Sequence, residues 1–591
     1  MYTYTEFDQQ MLRERAAQFR HQLERWQAGA LSEDEFKPLR LQNGWYVQRF
    51  APMLRVAVPY GEINSAQLRT LATLARDFDD KSAHDLSGID AGLSDVASLP
   101  DACAHFTTRQ NVQFNWIPLS RAADAMDALA AVNMHGIQTS GNCIRNITTD
   151  AYAGIAPDEV ADPRPFAEIL RQWSTLHPEF AFLPRKFKIA ISGATEDRAA
   201  TGWHDVGLRL LRNVEGELGF QVAAGGGMGR TPLIAPVITP FVPWDQILNY
   251  LEALIRVYNR FGRRDNAYKA RIKILVKAEG QAFVDAVNAE FEAVLRHDGG
   301  AHRITPEELA RVSASFTAPE RGCDQVRASE KLRKLLEVSA HDDTEFERWL
   351  QRNVRAHKNP DLRAVTLSFK RLGHAPGDAT AAQLDAAAEL AQRFSAGEAR
   401  VTHEQNLLLP WVRCDELPEL WTAARKLGLA RPNIGLLTDV IACPGGDFCA
   451  LANARSLPIA QAITERYQDL DELDDLGVID LHMSGCMNSC GHHHSGHIGI
   501  LGVDKDGQEW YQISLGGSDG TRLSGPAGPG KVIGPSFAAD EVPEVIEALL
   551  NTYRSQRESG EAFVQTVRRI GAEPFKHAAH AVRTTTARAT A

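Results

Sequence analysis

Hydrophobic residues recur along the chain in two rhythms. Within residues 5–28, Leu12, Ala16, Phe19, Leu23 and Trp26 fall three or four apart, the spacing of one helix face, so a charged helix with an apolar stripe is predicted. Few lysines flank that stripe, and it is read as packing on the body of the protein rather than on a membrane surface. From Met53 the rhythm changes. LRVAVPYG alternates as a strand does, AQLRTLATLARDF takes helical spacing, and AHFTTRQNVQFNWIPL alternates again.

The same order returns from residue 362 as LRAVTLSF, AQLDAAAELAQRF and ARVTHEQNLLLPWV. Ala66, Gln67, Leu68, Leu74, Ala75 and Phe78 match Ala382, Gln383, Leu384, Leu390, Ala391 and Phe394 at one constant offset of 316. A gapless match of that length implies duplication. A second pair of segments repeats as well: HDVGL near 204 with GFQVAAGG, and GHIGI near 496 with WYQISLGG. The pattern predicts an α+β chain, internally duplicated, in which a small unit is followed by a larger sheet-containing unit, twice over.

The boundaries follow from composition. They give an N-terminal helical extension (1–45), a small unit (46–125), a larger unit (126–300), a polar helical linker (301–350), a second small unit (351–428) and a second larger unit (429–570). The tail, 571–591, has few apolar anchors after Lys576 and is expected to be disordered.

Composition narrows the function classes. At 591 residues, 44% hydrophobic and 24% charged, the chain has the make-up of a soluble protein with several cores. No run of about eighteen apolar residues suggests a membrane span, and the polar N-terminus has no secretory h-region, so a cytoplasmic protein is expected. A formal charge of −11 argues against general nucleic-acid binding, and an anionic substrate would need a local cluster of cations. Eight cysteines in this length do not make a disulfide framework.

Four of them lie together, as Cys443 and Cys449 (C-x5-C) and Cys486 and Cys490 (C-x3-C), with Pro444, Gly445, Gly446, Gly485 and Gly491 in or beside the gaps. Thiolates in two tight pairs suggest a metal site. Zinc knuckles usually keep two to four residues between ligands, whereas iron–sulfur spacings vary more widely. The spacing favours a 4Fe-4S cluster and leaves structural zinc open. Gly225–Gly229 is not a dinucleotide fingerprint, because its spacing is wrong and no helix clearly follows. It is read as a turn or as backbone lying against a flat macrocycle. No flavin or NADPH motif is apparent.

The paired C-x5-C and GCMNSC segments, running on into HIGILG, resemble the cluster-binding half of the siroheme-dependent nitrite and sulfite reductases. That resemblance implies two ferredoxin-like half-domains plus two larger siroheme/4Fe-4S reductase domains, related by pseudo-two-fold symmetry. It implies cluster ligation by Cys443, Cys449, Cys486 and Cys490, with Cys490 bridging to siroheme. Asn488 beside the bridge, Gln113 and Gly226 are expected cofactor contacts.

In that family the anion pocket uses an arginine in a T-x-R-Q strand, an arginine in an N-C-x-R-N segment and two lysines in an R-K-x-K strand, matched here by Arg109, Arg145, Lys186 and Lys188. Alternation alone places Lys186 and Lys188 on one strand face and Phe187 and Ile189 on the other. Taken without the resemblance, a solvated strand edge would explain them. Nitrite-reducing relatives tend to have Asn in place of the second lysine, so Lys188 points to sulfite.

The activity implied is six-electron reduction of sulfite to sulfide for sulfur assimilation, with electrons from an NADPH-dependent flavoprotein or a ferredoxin. The alternatives are reduction of nitrite to ammonia at the same site and a non-catalytic iron–sulfur electron-transfer protein. His492–His494 depart from better-known relatives, and one of them is expected near the cofactors.

Overall fold

The computed structural model describes residues 1–84, 102–321 and 344–589, with side chains described to 583. Four five-stranded sheets carry the architecture. The first small sheet runs β1 (Trp45–Val47), β2 (Pro52–Val56), β5 (Val112–Phe114), β4 (Ala104–Phe106), β13 (Asp378–Ala379). The second runs β11 (Val354–Ala356), β12 (Leu362–Leu367), β15 (Leu407–Arg413), β14 (Glu398–Val401), β3 (Glu62–Asn64). Each small sheet therefore ends on a strand lent by the other half of the chain. Glu398, Ala399 and Arg400 pair with Asn64, Ile63 and Glu62, and Asp378 and Ala379 pair with His105 and Ala104.

The lent strands lead directly into the two helices that carry the 316-residue repeat, Ser65–Thr73 and Ala381–Phe394. Asn64 caps the first and Thr380 the second, each in a reciprocal box with Gln67 or Gln383 three residues on. The helices pack on one another, and both small units share a single apolar core. Leu68, Leu74 and Ala75 of the first copy and Leu384, Leu390, Ala391 and Phe394 of the second enter that core, with Phe78 packed against it.

The larger units repeat as faithfully. One sheet is β6 (Thr148–Thr149), β7 (Ile189–Ser192), β8 (Val206–Arg212), β9 (Leu218–Ala224), β10 (Val237–Pro243). The other is β16 (Ile441–Ala442), β17 (Leu481–Ser484), β18 (Ile498–Lys505), β19 (Gln508–Leu515), β20 (Lys531–Val532). In both, three strands run parallel and two antiparallel strands complete the sheet.

A buried ion network joins the halves where β3 meets β14. Arg164 Nη1 donates to Glu62 Oε1 at 2.7 Å, and Arg400 Nε donates to Glu398 Oε1 at 2.9 Å. Arg400 also donates to the carbonyls of Ala151 and Ala153. Removing one partner would strand a charge in the interior, a loss of about 3–5 kcal/mol.

The N-terminal stripe is buried as its spacing predicts, with Leu12, Ala16, Phe19 and Leu23 inside helix Glu6–Gln27. Two expectations change. The tail is not disordered over 571–589: it forms helix Glu573–Ala589, held by Phe575 and Ala579, both fully buried, and by Arg583 over the Phe537 ring at 4.6 Å. Two small anchors spaced a helical turn apart suffice where a neighbouring surface receives them.

The stretch 301–350 is also more than a linker at its described ends. Ile304, Val312 and Phe316 enter the core of the first larger unit, and Phe346 and Trp349 enter that of the small units. Residues 322–343, and Cys323 with them, lie outside the described residues. Among the described residues, no helix is long and apolar enough to cross a membrane.

Candidate active site

The cysteine loops are bound to each other through backbone. Cys443 N–H donates to Met483 O, Gly446 N–H to Ala454 O, and the Asn453 and Ala454 amides to Gly485 O. Gly445 sits at φ 57°, and a Cβ there would lie 2.1 Å from Ser456 Oγ, so only glycine fits this turn. Ser456 in turn donates to Cys443 O at 2.6 Å, and Gly485 N–H donates to Cys443 Sγ at 3.2 Å.

All four thiols are free. Burial raises Cys443 to about 12 and Cys486 to about 11, and raises Cys449 as well, with the Cys490 sulfur adding to each. Cys490 thus faces the other three. Asn488, itself exposed, lowers Cys486 through hydrogen bonds from its amide and side chain. Thiols held this high ionise only with a cation among them.

Among the described residues, one group of three or more ligand-type side chains has all its donor atoms within 4.8 Å of one another, and it is elsewhere, at His177, Glu252 and His302. A zinc tetrahedron would bring sulfurs to ~3.8 Å. The wider set fits a cubane, whose ligands stand farther apart.

The first half closes over this loop. Thr108 Oγ1 donates to Cys490 O at 2.8 Å, Arg49 N–H donates to Phe448 O, and Arg49 Nη1 reaches Gly446 O at 3.4 Å. Arg109, Arg145, Lys186 and Lys188 meet at the same place. Burial depresses Arg109 to about 9, with Asp205 opposing and Arg145 and Arg271 adding. Burial lowers Lys186 to about 8, and the nearby Cys490 sulfur counteracts this while Arg145 and Arg271 reinforce it. Lys188 is pushed well below the usual lysine range by burial, then by Arg109 and Lys186. The alternation holds although the strand itself begins only at Ile189: Phe187 and Ile189 are fully buried in the core while both lysines stay partly exposed.

The arginines are anchored and the lysines are not. Arg145 spends its fork on the carbonyls of Thr139 and Gly141. Arg109 donates to Thr148 Oγ1 at 3.0 Å, to Asn146 O at 2.8 Å and to His204 Nε2. Among the described residues, neither Lys186 Nζ nor Lys188 Nζ has a hydrogen-bond or ion-pair partner. Asp205, buried beneath them, accepts the Lys188 backbone N–H at 2.9 Å and pairs with Arg271 at 2.6 Å.

The sequence reading did not single out His204. Its Nδ1 donates to Ala200 O at 2.8 Å, which leaves Nε2 as the acceptor for Arg109, and burial holds the ring neutral by lowering its pKa. The available signal was the divergence between HDVGL and GHIGI at equivalent positions of the repeat.

Other expected contacts are placed differently in kind. Gln113 lies on β5 and accepts from Arg55 at 3.2 Å, and Arg55 acts on Cys449 and Tyr46. Gly226 is fixed by protein packing, since a Cβ would lie 2.4 Å from Gly202 O and 2.5 Å from His204 O. Its loop does meet the cysteine loop of the other half: His494 Nε2 donates to Gly229 O at 3.0 Å and Ser489 Oγ lies 3.6 Å from Met228 Sδ. His493 is 2% exposed, and among the described residues neither of its ring nitrogens has a partner.

Residues 140–294 and 436–585 match the Nitrite and sulphite reductase 4Fe-4S domain, and residues 91–132 and 365–427 match the Nitrite/Sulfite reductase ferredoxin-like half domain. The first of these alone covers more than half of the chain. The chain belongs to the nitrite and sulfite reductase family.

This reductase is 29% identical to Sulfite reductase [ferredoxin] 2 of Mycolicibacterium paratuberculosis, over 89% of this chain and 83% of that protein. It is 27% identical to the assimilatory ferredoxin-dependent nitrite reductase of Haloferax mediterranei, over 88% and 82%. The structure of the Mycobacterium tuberculosis NirA protein shares the fold, with a TM-score of 0.71 at 24% identity, covering 96% of this chain and 97% of that one.

The reductase's cofactors are a siroheme and a 4Fe-4S cluster. Its residues fit both. Three thiols facing Cys490 suit the cluster, and Arg109, Arg145, Lys186, Lys188 and Arg271, gathered about the buried Asp205, suit a macrocycle bearing carboxylates together with a small anion.

Proposed function

We propose that the reductase converts sulfite to sulfide, taking six electrons from ferredoxin. The observation that carries this reading is the pair of unpartnered lysine ammoniums, Lys186 and Lys188, on the same side of the segment that leads into β7, among anchored arginines. Two cations so placed repel one another until an anion lies between them. Sulfite offers three oxygens to such a set, and nitrite offers two. Ferredoxin is the donor named for the mycobacterial and haloarchaeal relatives.

When bound, the siroheme and cluster supply the iron that binds the anion and the path for its electrons. The chain supplies the rest. Cys443, Cys449 and Cys486 would hold the cluster and Cys490 would be the shared ligand. Arg109 and Arg145, fixed by backbone carbonyls and His204, contribute standing positive charge at no cost in reorganisation. Each oxygen of sulfite leaves as water after taking up two protons. Lys186 Nζ, lowered to about 8, and Lys188 Nζ, pushed well below the usual lysine range by burial, give up a proton more readily than a free lysine and can regain it from solvent.

Nitrite reduction is the second reading, favoured by relatives of similar identity that bear that name. Steady-state kinetics with both anions and reduced ferredoxin decide between the two. A higher specificity constant for sulfite is expected, and a far higher one for nitrite would overturn the reading. Lys188→Asn should lower kcat for sulfite by ~10²-fold, shift preference toward nitrite, and leave iron and siroheme content unchanged.

A further inference from the structure

His177, Glu252 and His302 come together far from the cysteines in sequence and from three separate segments: the turn after helix Arg164–Ser174, helix Ile247–Phe261, and the loop before helix Pro306–Ser313. Their ligand atoms all lie within 4.8 Å of one another. Glu252 is fixed through one oxygen, with Arg256 Nη2 at 2.6 Å from Oε1 and its side chain 3% exposed. The other oxygen, Oε2, is buried and accepts no hydrogen bond among the described residues, although His302 Nε2 is only 2.7 Å away. A buried carboxylate oxygen left bare is costly. A ring nitrogen that close without hydrogen-bond alignment is what two donors aimed at a third point would show.

The surroundings suit a cation. Arg256 is shared among three carboxylates, with Glu179 at 3.2 Å and Asp298 at 3.1 Å besides Glu252, so the patch keeps a net charge of about −2 before any ion enters. Aromatic packing holds both rings. His177 stacks on Phe180 at 3.8 Å and 13°, and Trp173 lies edge-on to His302 at 6.2 Å. His177 Nδ1 accepts the Glu179 amide at 3.3 Å, a long contact that is given up whichever ring nitrogen becomes a ligand.

We propose that His177, Glu252 and His302 form a site for a divalent transition-metal ion of the zinc class, separate from the iron–sulfur and siroheme centre. Two imidazoles and one carboxylate are a borderline-soft donor set that zinc, cobalt and nickel accept and that calcium and magnesium do not favour. Metal–ligand bonds of ~2.0–2.2 Å place such donors ~3.0–3.5 Å apart, so the His302–Glu252 pair opens by a few tenths of an ångström on binding. His302, with its side chain 35% exposed, leaves the remaining positions to water. The ion would clip the loop at the start of the segment connecting the two halves onto the first larger unit, raising the stability of that junction by mass action.

The test uses cofactor-loaded enzyme stripped of adventitious ions by a chelator, desalted, then titrated with ZnCl₂ by calorimetry. Bound zinc, iron and siroheme are counted after a second desalting. One tightly held zinc per chain and a melting transition raised by several degrees are expected. Both should be lost in His302→Gln and in Glu252→Gln, with iron, siroheme and sulfite turnover unchanged. Equal zinc uptake by wild type and both variants, or no uptake at micromolar zinc, overturns the site. The two variants guard against one of them disturbing the fold, and the readout does not depend on which anion the enzyme reduces.

Discussion

The turn Thr107–Asn111 in the first half and the turn Thr402–Asn406 in the second are built alike and used differently. In each, a glutamine takes positive φ, Gln110 at 56° and Gln405 at 62°, and crosses to the opposite half. Gln110 donates to Val401 O at 3.1 Å, and Gln405 to Phe106 O at 2.9 Å. Each also accepts the second amide of the two-residue strand of a larger unit, Thr149 or Ala442. Between these fixed points one copy carries Thr108 and Arg109 and the other His403 and Glu404. Duplication preserved the glutamine frame, where a lost bond would orphan a buried carbonyl, while the two positions between took different side chains with their own contacts across the halves, Thr108 to Cys490 O and the His403 ring to Thr108 O and Thr149 O.

The strongest break of this comparison is to give the first turn the second turn's charge. Arg109→Glu should reduce sulfite turnover by ~10³-fold or more, since it replaces an oriented cation by an anion. Kinetics with a small-molecule reductant, beside iron and siroheme counts, would check it; near-normal turnover would remove Arg109 from the pocket. The frame itself should be symmetric. Gln110→Ala and Gln405→Ala should each cost ~1–3 kcal/mol by leaving buried backbone groups unpaired, seen as comparable falls in thermal stability. A large effect from one and none from the other would mean the copies are not equivalent scaffolds.

A finer probe is His204→Phe, which deprives Arg109 of its acceptor. It should lower kcat/KM for sulfite by ~10-fold, mostly through KM, while His204→Gln restores part of it.

The smallest effect concerns Glu404. Burial raises its pKa, opposed by His403, so the folded state keeps a proton that the unfolded chain has lost. Its contribution is present at low pH and fades as pH rises through the folded value. Glu404→Gln should therefore match wild type near pH 4 and exceed it slightly at pH 8 in thermal melts; a loss at pH 8 would show that the charged form is the favoured one.

What the sequence revealed and what it hid divide along a physical line. The Lys186/Lys188 alternation and the 316-residue repeat are patterns written in the sequence itself, and both stand in the structure, as the burial of Phe187 and Ile189 and as two equivalently capped helices. The exchange of β3 and β13 was not legible, because strands of three and two residues have no measurable period and their partners are hundreds of residues away. The helix over 573–589 was hidden for a related reason. Phe575 and Ala579 make a stripe only when the surface that receives them is known. His204 went unnoticed because a lone histidine beside a strand is usually structural, and only its contact with Arg109 gives it meaning.

The lent strands have one more consequence, for motion. Many enzymes bring charged groups onto a substrate by swinging one lobe against another about a few loop residues. Here such a swing would have to strip β3 from β14 and β13 from β4 at the same time, and pull Arg164 away from Glu62 in the interior. The distance from the lysines to Cys490 is thus set once, during folding, and successive electrons arrive at a site whose walls stay where they are.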